Sequence, residues 1–304
     1  MKNSRFTFTD SNSDLINAYS WQPEKPVAAL QIVHGMMEHS ARYEAFASYL
    51  AGKGIAVYMN DHRGHGKNLQ YIPGQEVQGK EIYGHFTDHD GWAKSVETLH
   101  FLTGIIKKNH PGIPLFILGH SMGSVLARSY LNKYSREIDG AILSGTILQP
   151  PLMLHAGILL VDILRLLHGP RYRSKLLISL GYGSYSKYFK PKRTDFDWLT
   201  SDTAIVDEYV ADPLCGFPCT TAFYSDFFSG IRDSDRRKNL ANVRTNLPLL
   251  IFSGKYDPTG HFGKDPEKIA GTYRKMGLKD PHLLCDDIRV TELQPFFPSA
   301  NRLG

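Results

Sequence analysis

The stretch GHSMG at residues 119–123 places a serine between two glycines. An apolar run ends at this point, and apolar residues at helical spacing follow directly. In a strand–G-x-S-x-G–helix context the serine sits on a tight, strained turn that exposes its hydroxyl as a nucleophile. The plainer interpretation is that Ser121 only caps the helix, which is a common role for serine. The apolar run before Ser121 and the helical pattern after it favour the nucleophile.

A nucleophilic serine needs two backbone N–H groups for the negative charge that develops on the substrate oxygen. We expect one from Met122, the residue after the serine. The other is expected from Met36, in the loop that follows an early apolar run at 28–33. An ordinary turn at the end of a strand is the alternative for His34-Gly35. Its place after a core strand and before the serine favours an oxyanion hole.

Asp257 follows a late apolar run at 247–254 and stands just ahead of Pro258. Where a serine nucleophile follows this strand–turn–helix pattern, the acid comes after the serine and at the end of a late strand. An Asp-Pro turn is the alternative, since this pair commonly initiates turns. With Ser121 in place, the sequence favours Asp257 as the catalytic acid.

The other histidines and the cysteines predict neither a metal nor a cofactor. Four histidines stand in two loop-like stretches without the spacing of a helical metal site, which predicts loop hydrogen bonds instead: His34, His39, His62 and His65. The three cysteines, an odd number, match no zinc pattern and are expected to be reduced: Cys215, Cys219 and Cys285.

Charge and composition exclude several classes of protein. The net charge of +5 is spread along the chain without a dense basic cluster, so no nucleic-acid partner is expected. The N-terminus has no apolar segment typical of a secretory signal. The most apolar stretch, 156–167, carries Asp162 and Arg165 and looks too short to span a bilayer. A cytoplasmic protein is predicted, while the oligomeric state stays open.

Strand-like apolar runs alternate with helical spacing in the first half of the chain, which predicts a parallel sheet covered by helices. The runs are 28–33, 55–59, 115–118 and 140–145, and the helical segments 42–53 and 92–108. After Pro150-Pro151 the pattern becomes helical, and a strand returns at 247–254. We therefore predict a core at 1–148, an inserted helical lid at 149–232 and a second part of the core at 233–304.

The predicted lid is more apolar than one core-facing stripe requires. Its apolar residues are Ile158, Leu159, Leu160, Val161, Ile163, Leu164, Leu166 and Leu167. A segment that receives an acyl chain or makes peripheral contact with a membrane would have this composition. A helix packed between core and lid would have it too, and the sequence does not separate these alternatives.

Together these segments resemble the monoacylglycerol lipase and lysophospholipase branch of the α/β-hydrolase superfamily. The resemblance rests on HGMMEHSARY, YMNDHRGHG, LGHSMGS, SGKYDPTG, RTDFDWLT and YVADPLCGFPCT, and it covers residues 5 to 280. It implies an eight-stranded, mostly parallel sheet, a helical lid over Ser121, and hydrolysis of a small acyl ester without a cofactor. By the same resemblance Ser121 is the nucleophile, Asp257 the acid, and the Met36 and Met122 amides form the oxyanion hole.

The chain departs from this family where the catalytic histidine is expected. The resemblance implies an Arg-His-Glu-apolar pattern about thirty residues after Asp257. Residues 289–293 read Arg-Val-Thr-Glu-Leu instead, and a tail with two prolines replaces the final helix. His282 comes too early to reach Ser121, and His261 stands too near Asp257 to be the usual base.

Two explanations compete for this departure. A C-terminus altered by truncation or frameshift would belong to a lineage of active enzymes, whereas a non-catalytic relative would bind lipid or a partner. The retained Ser121 and Asp257 favour the first. The sequence therefore predicts a serine esterase of monoacyl lipids with impaired activity. Thioesterase and serine aminopeptidase activities remain alternatives, because the same residues serve all these reactions.

Overall fold

The computed structural model describes residues 2–68, 83–279 and 281–286. Within these ranges the strands are β1 (Lys2–Thr9), β2 (Leu15–Gln22), β3 (Ala28–Val33), β4 (Ile55–Asn60), β5 (Leu115–His120), β6 (Gly140–Ser144), β7 (Leu249–Gly254) and β8 (Pro281–Asp286). They form one sheet in the order β1-β2-β4-β3-β5-β6-β7-β8. Its first two pairs are antiparallel and the remaining pairs parallel. The mostly parallel sheet predicted from the sequence is confirmed.

Helices make the connections between the parallel strands. In the described ranges they are α1 (Glu44–Gly52), α2 (Gly91–Asn109), α3 (Met122–Tyr134), α4 (Pro151–His168), α5 (Lys175–Leu180), α6 (Thr203–Ala211), α7 (Thr221–Ser234), α8 (Arg237–Leu240) and α9 (Lys264–Lys275). The helices predicted over 42–53 and 92–108 correspond to α1 and α2. Connections of this length allow neighbouring strands to run parallel.

Alternate residues of the central strands bury opposite faces of the sheet. In β3, Leu30 and Ile32 pack with the apolar side of α1, whereas Ala29 and Val33 join the larger cluster that includes α2, α3 and α9. Because successive side chains of a strand point to opposite faces, a strand covered on both sides has few polar positions. This explains why the central strands were visible in the sequence as short, almost uninterrupted apolar runs.

The N-terminal hairpin of β1 and β2 was not predicted from the sequence. Most residues of β1 are exposed or half-buried, so the strand lacks a continuous apolar run. Its closing turn is held from outside the hairpin, because the Arg63 guanidinium forms ion pairs with both Asp10 and Asp14. These ion pairs join residues about fifty positions apart, so no local pattern in the sequence predicts them.

Helices α4 to α7 lie between β6 and β7, in the segment where the sequence predicted an insertion. The last of them, α7, packs against α2 and α3 and thereby continues the helical layer on that face of the sheet. Helix α4 in turn packs on α7. The insertion is therefore anchored to the sheet's helical layer through α7, and α4 lies one layer farther out.

Helix α4 is apolar and mostly exposed. Only Leu154 and Val161 are buried in it, so the interpretation of a helix enclosed between core and lid is wrong. The helix extends beyond the apolar stretch 156–167 to 18 residues. By length and composition alone it could cross a membrane, which corrects the expectation that this segment is too short. One such helix is weak evidence for a membrane span, and its amphipathic surface also fits an interfacial helix.

Candidate active site

Ser121 occupies the sharp turn between β5 and α3. Its backbone has φ 51° and ψ −120°, a combination that costs a residue with a side chain about 1–3 kcal/mol and survives only when the surroundings enforce it. The Ser121 N–H donates to the Ser144 carbonyl over 2.8 Å, and the Ser124 N–H donates to the Ser121 carbonyl over 2.9 Å. These bonds to β6 and to the first turn of α3 hold Ser121 in the strained conformation. The structure thus places Ser121 on the turn that the motif predicts.

The two glycines of the motif are required by close backbone contacts. A Cβ atom on Gly119 would lie 2.3 Å from the Gly123 carbonyl oxygen, and one on Gly123 would lie 2.1 Å from the Val33 carbonyl oxygen. Separations below 3.0 Å do not occur for real Cβ atoms. The turn therefore closes on itself and against the end of β3 only because neither position carries a side chain.

The loop after β3 lies directly against the nucleophile. A Cβ atom on Gly35 would be 3.4 Å from the Ser121 Cβ, so the following residue, Met36, belongs to the immediate surroundings of Ser121. Met122 is the first residue of α3, and the first N–H groups of a helix have no carbonyl partner within it. The structure thus places the Gly35 loop and the start of α3 next to Ser121, and the oxyanion hole itself stays a prediction.

A buried glutamate that the sequence analysis did not single out holds this loop in shape. Glu38 accepts hydrogen bonds from the Gly35 N–H at 2.5 Å, the Tyr43 hydroxyl at 3.0 Å and the Arg42 guanidinium at 2.9 Å. Met37 between them has a positive φ of 60°. The carboxylate replaces the hydrogen bonds that a tight, buried turn cannot make within its own backbone. The sequence offered only the carboxylate in HGMMEHS as a signal.

The histidines beside this loop are structural. The His34 Nε2 accepts from the His62 N–H at 3.0 Å, so the His34 Nδ1 carries the proton and donates to the Gly35 carbonyl at 2.8 Å. The His62 Nε2 bonds the His34 carbonyl at 3.0 Å. Burial lowers the pKa of His62 to about 3 and that of His65 to about 4. These rings are therefore neutral, and the prediction of loop hydrogen bonds is confirmed for them.

Asp257 lies three residues beyond the end of β7, at the same edge of the sheet as Ser121, and its side chain is buried. Its Oδ1 accepts from the Thr259 N–H at 2.8 Å and from the Thr259 hydroxyl at 2.6 Å. Its Oδ2 is near Gly145, which follows β6, because a Cβ atom there would lie 3.5 Å away. Burial outweighs these bonds and raises the pKa of Asp257 to about 6.

Asp257→Asn is expected to stabilise the protein at pH 8 by about 1–3 kcal/mol, because it removes a buried charge whose pKa is raised. With a folded-state pKa of about 6 against 3.8 for the free group, the wild-type protein loses stability as the pH rises through that interval. The gain should shrink on acidification and vanish near pH 4. Urea unfolding at pH 8 and near pH 4 measures this gain in stability. A variant less stable than wild type at pH 8 would contradict the raised pKa of Asp257.

No histidine nitrogen hydrogen-bonds the Ser121 hydroxyl within the part of the chain that the structure describes. The His261 Nδ1 bonds the buried Asp265 carboxylate at 2.7 Å. His282 in β8 pairs with Leu250 in β7 and lies four residues before β8 ends at Asp286. That is about 13 Å short of the sheet edge that carries Ser121. Residues 289–293, where the family pattern places its histidine, lie outside the described residues.

A buried arginine in α3 is a further supporting residue that sequence reasoning missed. The Arg128 guanidinium donates to the Ile147 carbonyl at 2.7 Å and to the Asp235 carboxylate at 2.6 Å. It also donates to Thr146 and Ser234 at 3.0 and 2.8 Å. These bonds tie the helix of the nucleophile to the loop after β6 and to the end of α7. A single arginine in a helical pattern gives no signal of such a role.

The chain is similar in sequence to one protein family and to several known proteins. A family model described as serine aminopeptidase, S33, matches residues 24–285. The chain is 28% identical to a monoacylglycerol lipase of Mycolicibacterium smegmatis, over 78% of this chain and 73% of that protein. It is 29% identical to the monoglyceride lipase of Mus musculus, over 78% and 68%.

A solved structure has the same fold over almost the whole chain. It is a thermostable carboxyl esterase from Bacillus coagulans in complex with glycerol, with 26% identity and a TM-score of 0.82. The superposition covers 94% of this chain and 89% of the esterase. The α/β-hydrolase sheet expected from the sequence is thereby confirmed.

Proposed function

The chain belongs to the serine aminopeptidase S33 family and is a monoacylglycerol lipase-like α/β-hydrolase, and from this premise we propose that it hydrolyses monoacyl lipid esters through Ser121. The observation that carries the proposal is the strained Ser121 backbone between β5 and α3, with the Gly35 loop in contact. Two relatives named for monoacylglycerol hydrolysis support this substrate class. Lysophospholipids share the single acyl ester and are included.

The proposed reaction proceeds in two steps. The Ser121 hydroxyl oxygen attacks the ester carbonyl carbon, and the resulting oxyanion accepts hydrogen bonds from the Met36 and Met122 N–H groups. The carbon–oxygen bond to the glycerol or lysophospholipid alcohol then breaks, the alcohol takes up a proton, and an acyl-enzyme remains on Ser121. Water attacks this ester in the second step and releases the fatty acid. No cofactor is required.

The proton of the Ser121 hydroxyl needs an acceptor in the first step. A positioned imidazole base usually contributes about 10²–10⁴-fold to such a reaction. The described histidines make no hydrogen bond with Ser121. We therefore propose that this chain hydrolyses esters slowly, with solvent as the base. Small imidazole added to the buffer should replace the missing side chain in part.

A panel of substrates tests the proposed reaction class. Monoacylglycerols, lysophospholipids, acyl thioesters and amino-acid anilides would be compared by kcat/KM, each with and without added imidazole. The proposal expects the monoacyl oxygen esters to react fastest, with release of free fatty acid. Faster release from thioesters or anilides would indicate the thioesterase or aminopeptidase alternative instead.

A non-catalytic lipid-binding protein is the second candidate, favoured by the absence of a histidine bonded to Ser121 among the described residues. Such a protein would bind monoacylglycerol beside Ser121 and release no fatty acid even with imidazole present. Titration with a non-hydrolysable monoacyl ether, read by intrinsic fluorescence, measures binding independently of hydrolysis. Binding without imidazole-stimulated hydrolysis would establish this candidate and exclude the esterase.

We also propose that α4 and α5 form a lid that rests on a lipid surface. Eight large apolar residues of these two helices are exposed: Leu152, Met153, Leu159, Ile163, Leu166, Leu167, Leu176 and Leu180. Exposed apolar area of this kind and nearby basic residues are typical of helices that lie in the membrane interface. The cytoplasmic location expected from the sequence remains a prediction, compatible with contact at the inner surface of a membrane.

Replacing Leu166 and Leu167 together by serine is expected to weaken binding to phospholipid vesicles at least about tenfold. Transfer of one leucine side chain from water into an apolar phase contributes about 1.5–3 kcal/mol, and about 1.4 kcal/mol is a factor of ten in affinity. Cosedimentation with phosphatidylcholine–phosphatidylglycerol vesicles measures the change. Val27→Ser is the control, because Val27 is exposed to 67%, close to the 68% of Leu167, but lies elsewhere. Equal loss in both variants would refute a lid-specific surface.

A further inference from the structure

Three side chains with metal-binding atoms meet beside the loop that carries Met36. They are His39, which follows this loop, and Asp212 and Cys215, which lie between α6 and α7. One imidazole nitrogen, one carboxylate oxygen and the Cys215 sulfur all lie within 4.8 Å of one another. The sequence predicts no metal, because neither the histidines nor the cysteines have the spacing of a zinc motif. The fold assembles this group from positions more than 170 residues apart.

Hydrogen bonds hold Asp212 and Cys215 in one tight turn. The Asp212 Oδ1 accepts from the Leu214 N–H at 2.8 Å, and the Asp212 carbonyl accepts from the Cys215 N–H at 3.0 Å. This tight turn fixes the carboxylate and the thiol on one side. The other carboxylate oxygen, Oδ2, bonds the His39 Nε2 at 2.8 Å. Binding would therefore require only small movements of three side chains.

The same segment is attached to the loop of the candidate oxyanion hole. The Gly216 N–H and the Tyr209 hydroxyl both donate to the Met37 carbonyl, at 3.1 and 2.9 Å. Arg42 is a cation near the three donors. It is ion-paired with Glu38 and lies over the Tyr209 ring, 4.8 Å from its centre, and its positive charge also acts on Asp212.

The donor set selects the metal. A thiolate, an imidazole and a carboxylate together suit zinc, which accepts all three in tetrahedral sites at about 2.0–2.3 Å. Nitrogen and oxygen ligands on a tetrahedral zinc ion are about 3.3 Å apart, so the present His39–Asp212 separation has to open by about half an ångström. Two negative ligands balance the ion's double charge. The fourth position is left for a water molecule.

We propose that His39, Asp212 and Cys215 form a zinc-binding site that fastens the segment before α7 to the loop of Met36. On binding, the Cys215 thiol releases its proton to solvent and its thiolate bonds the metal, while His39 binds through a neutral nitrogen. The fastened loop is the one that contacts Ser121 through Gly35. Zinc would thus stabilise the folded protein and act on the active site through this loop, independently of what ester the site accepts.

Titration of the reduced, full-length protein with Co²⁺ tests the site directly. Cobalt takes the place of zinc in such sites, and a thiolate ligand produces an intense near-ultraviolet absorption band. The wild-type protein is expected to show this band with one equivalent of Co²⁺ and to lose it when Zn²⁺ is added. Absence of the band in the folded wild-type protein would overturn the proposal without any variant.

Two variants test the histidine and cysteine ligands, and a third is their control. Cys215→Ser and His39→Gln are expected to weaken Zn²⁺ binding at least about a hundredfold by calorimetry, in the range expected when a metal ligand or its support is lost. Glutamine at position 39 can still donate to Asp212, so the fold is preserved. Cys219→Ala is the control, because Cys219 is a buried cysteine outside the cluster. Unchanged affinity in Cys215→Ser, or equal loss in Cys219→Ala, would place the metal elsewhere.

Discussion

Replacing Ser121 by alanine is expected to remove all ester hydrolysis by this chain, both the slow basal rate and the rate stimulated by imidazole. The wild-type protein should release fatty acid from monoacylglycerol slowly, and added imidazole should accelerate it by about tenfold, a fraction of the effect of a positioned base. The stimulation requires the Ser121 hydroxyl, because imidazole only removes its proton. Fatty-acid release at increasing imidazole concentrations measures both rates.

The control for this prediction is Ser225→Ala. Ser225 lies on the exposed side of α7, where its hydroxyl contacts Asp162. It is far in the sequence from the turn at Ser121. This variant should retain the wild-type response to imidazole. If Ser121→Ala retained imidazole-dependent hydrolysis at the wild-type rate, another residue or contaminating enzyme would be responsible, and the assignment of the nucleophile would fail.

Gly123→Ala is expected to produce the largest loss of stability of any single methyl addition in the turn at residues 119–123. The added Cβ would lie 2.1 Å from the Val33 carbonyl oxygen and 2.5 Å from that of His34. Both atoms are backbone at the end of β3, so neither can rotate away. Overpacking of a rigid interior costs about 1–3 kcal/mol or more, and we expect at least about 3 kcal/mol by urea unfolding. Backbone movement that relieves this overlap should also displace the loop of Met36.

The matched control is Gly104→Ala. Gly104 lies within α2, and a Cβ atom there would meet nothing within 4 Å. Alanine in a helix interior is favoured over glycine by about 0.5–1 kcal/mol, so this variant should be slightly more stable than wild type. A Gly123→Ala protein with wild-type stability would show that the turn does not have the close packing described.

Local features of the site could be predicted from the sequence. The strand–turn–helix pattern around Ser121 predicts its strained turn, because the strain and the two glycines are properties of five consecutive residues. The end of β7 likewise predicts that Asp257 reaches the edge of the sheet where Ser121 lies. Burial on both faces made the central strands readable as apolar runs.

Long-range pairings could not be predicted. Arg128 reaches Asp235, but in the sequence each is one charged residue among many. The approach of His39 to Asp212 and Cys215 depends on how the segment before α7 folds back over the loop of Met36. Helix α4 shows the opposite difficulty, because its apolar composition was visible but its exposure was not.

Among the described residues no histidine hydrogen-bonds Ser121, and on the function proposed above this makes hydrolysis slow and dependent on added imidazole. An oxyanion hole and a strained serine retain part of their effect without a general base, as the residual activity of triad variants in serine proteases shows. Asp257 then has no cationic partner among the described residues that would lower its pKa. Burial therefore raises the pKa of Asp257 without an opposing positive charge.

The central claim is that Ser121 is the nucleophile, and identification of the residue that a fluorophosphonate modifies tests it most directly. The folded protein would be incubated with the probe in imidazole buffer, digested and sequenced by mass spectrometry, with Ser121→Ala treated in parallel. We predict one phosphonyl group per chain, located on Ser121 and absent from the variant. A folded protein that takes up no probe, or takes it up on another residue, would contradict the claim.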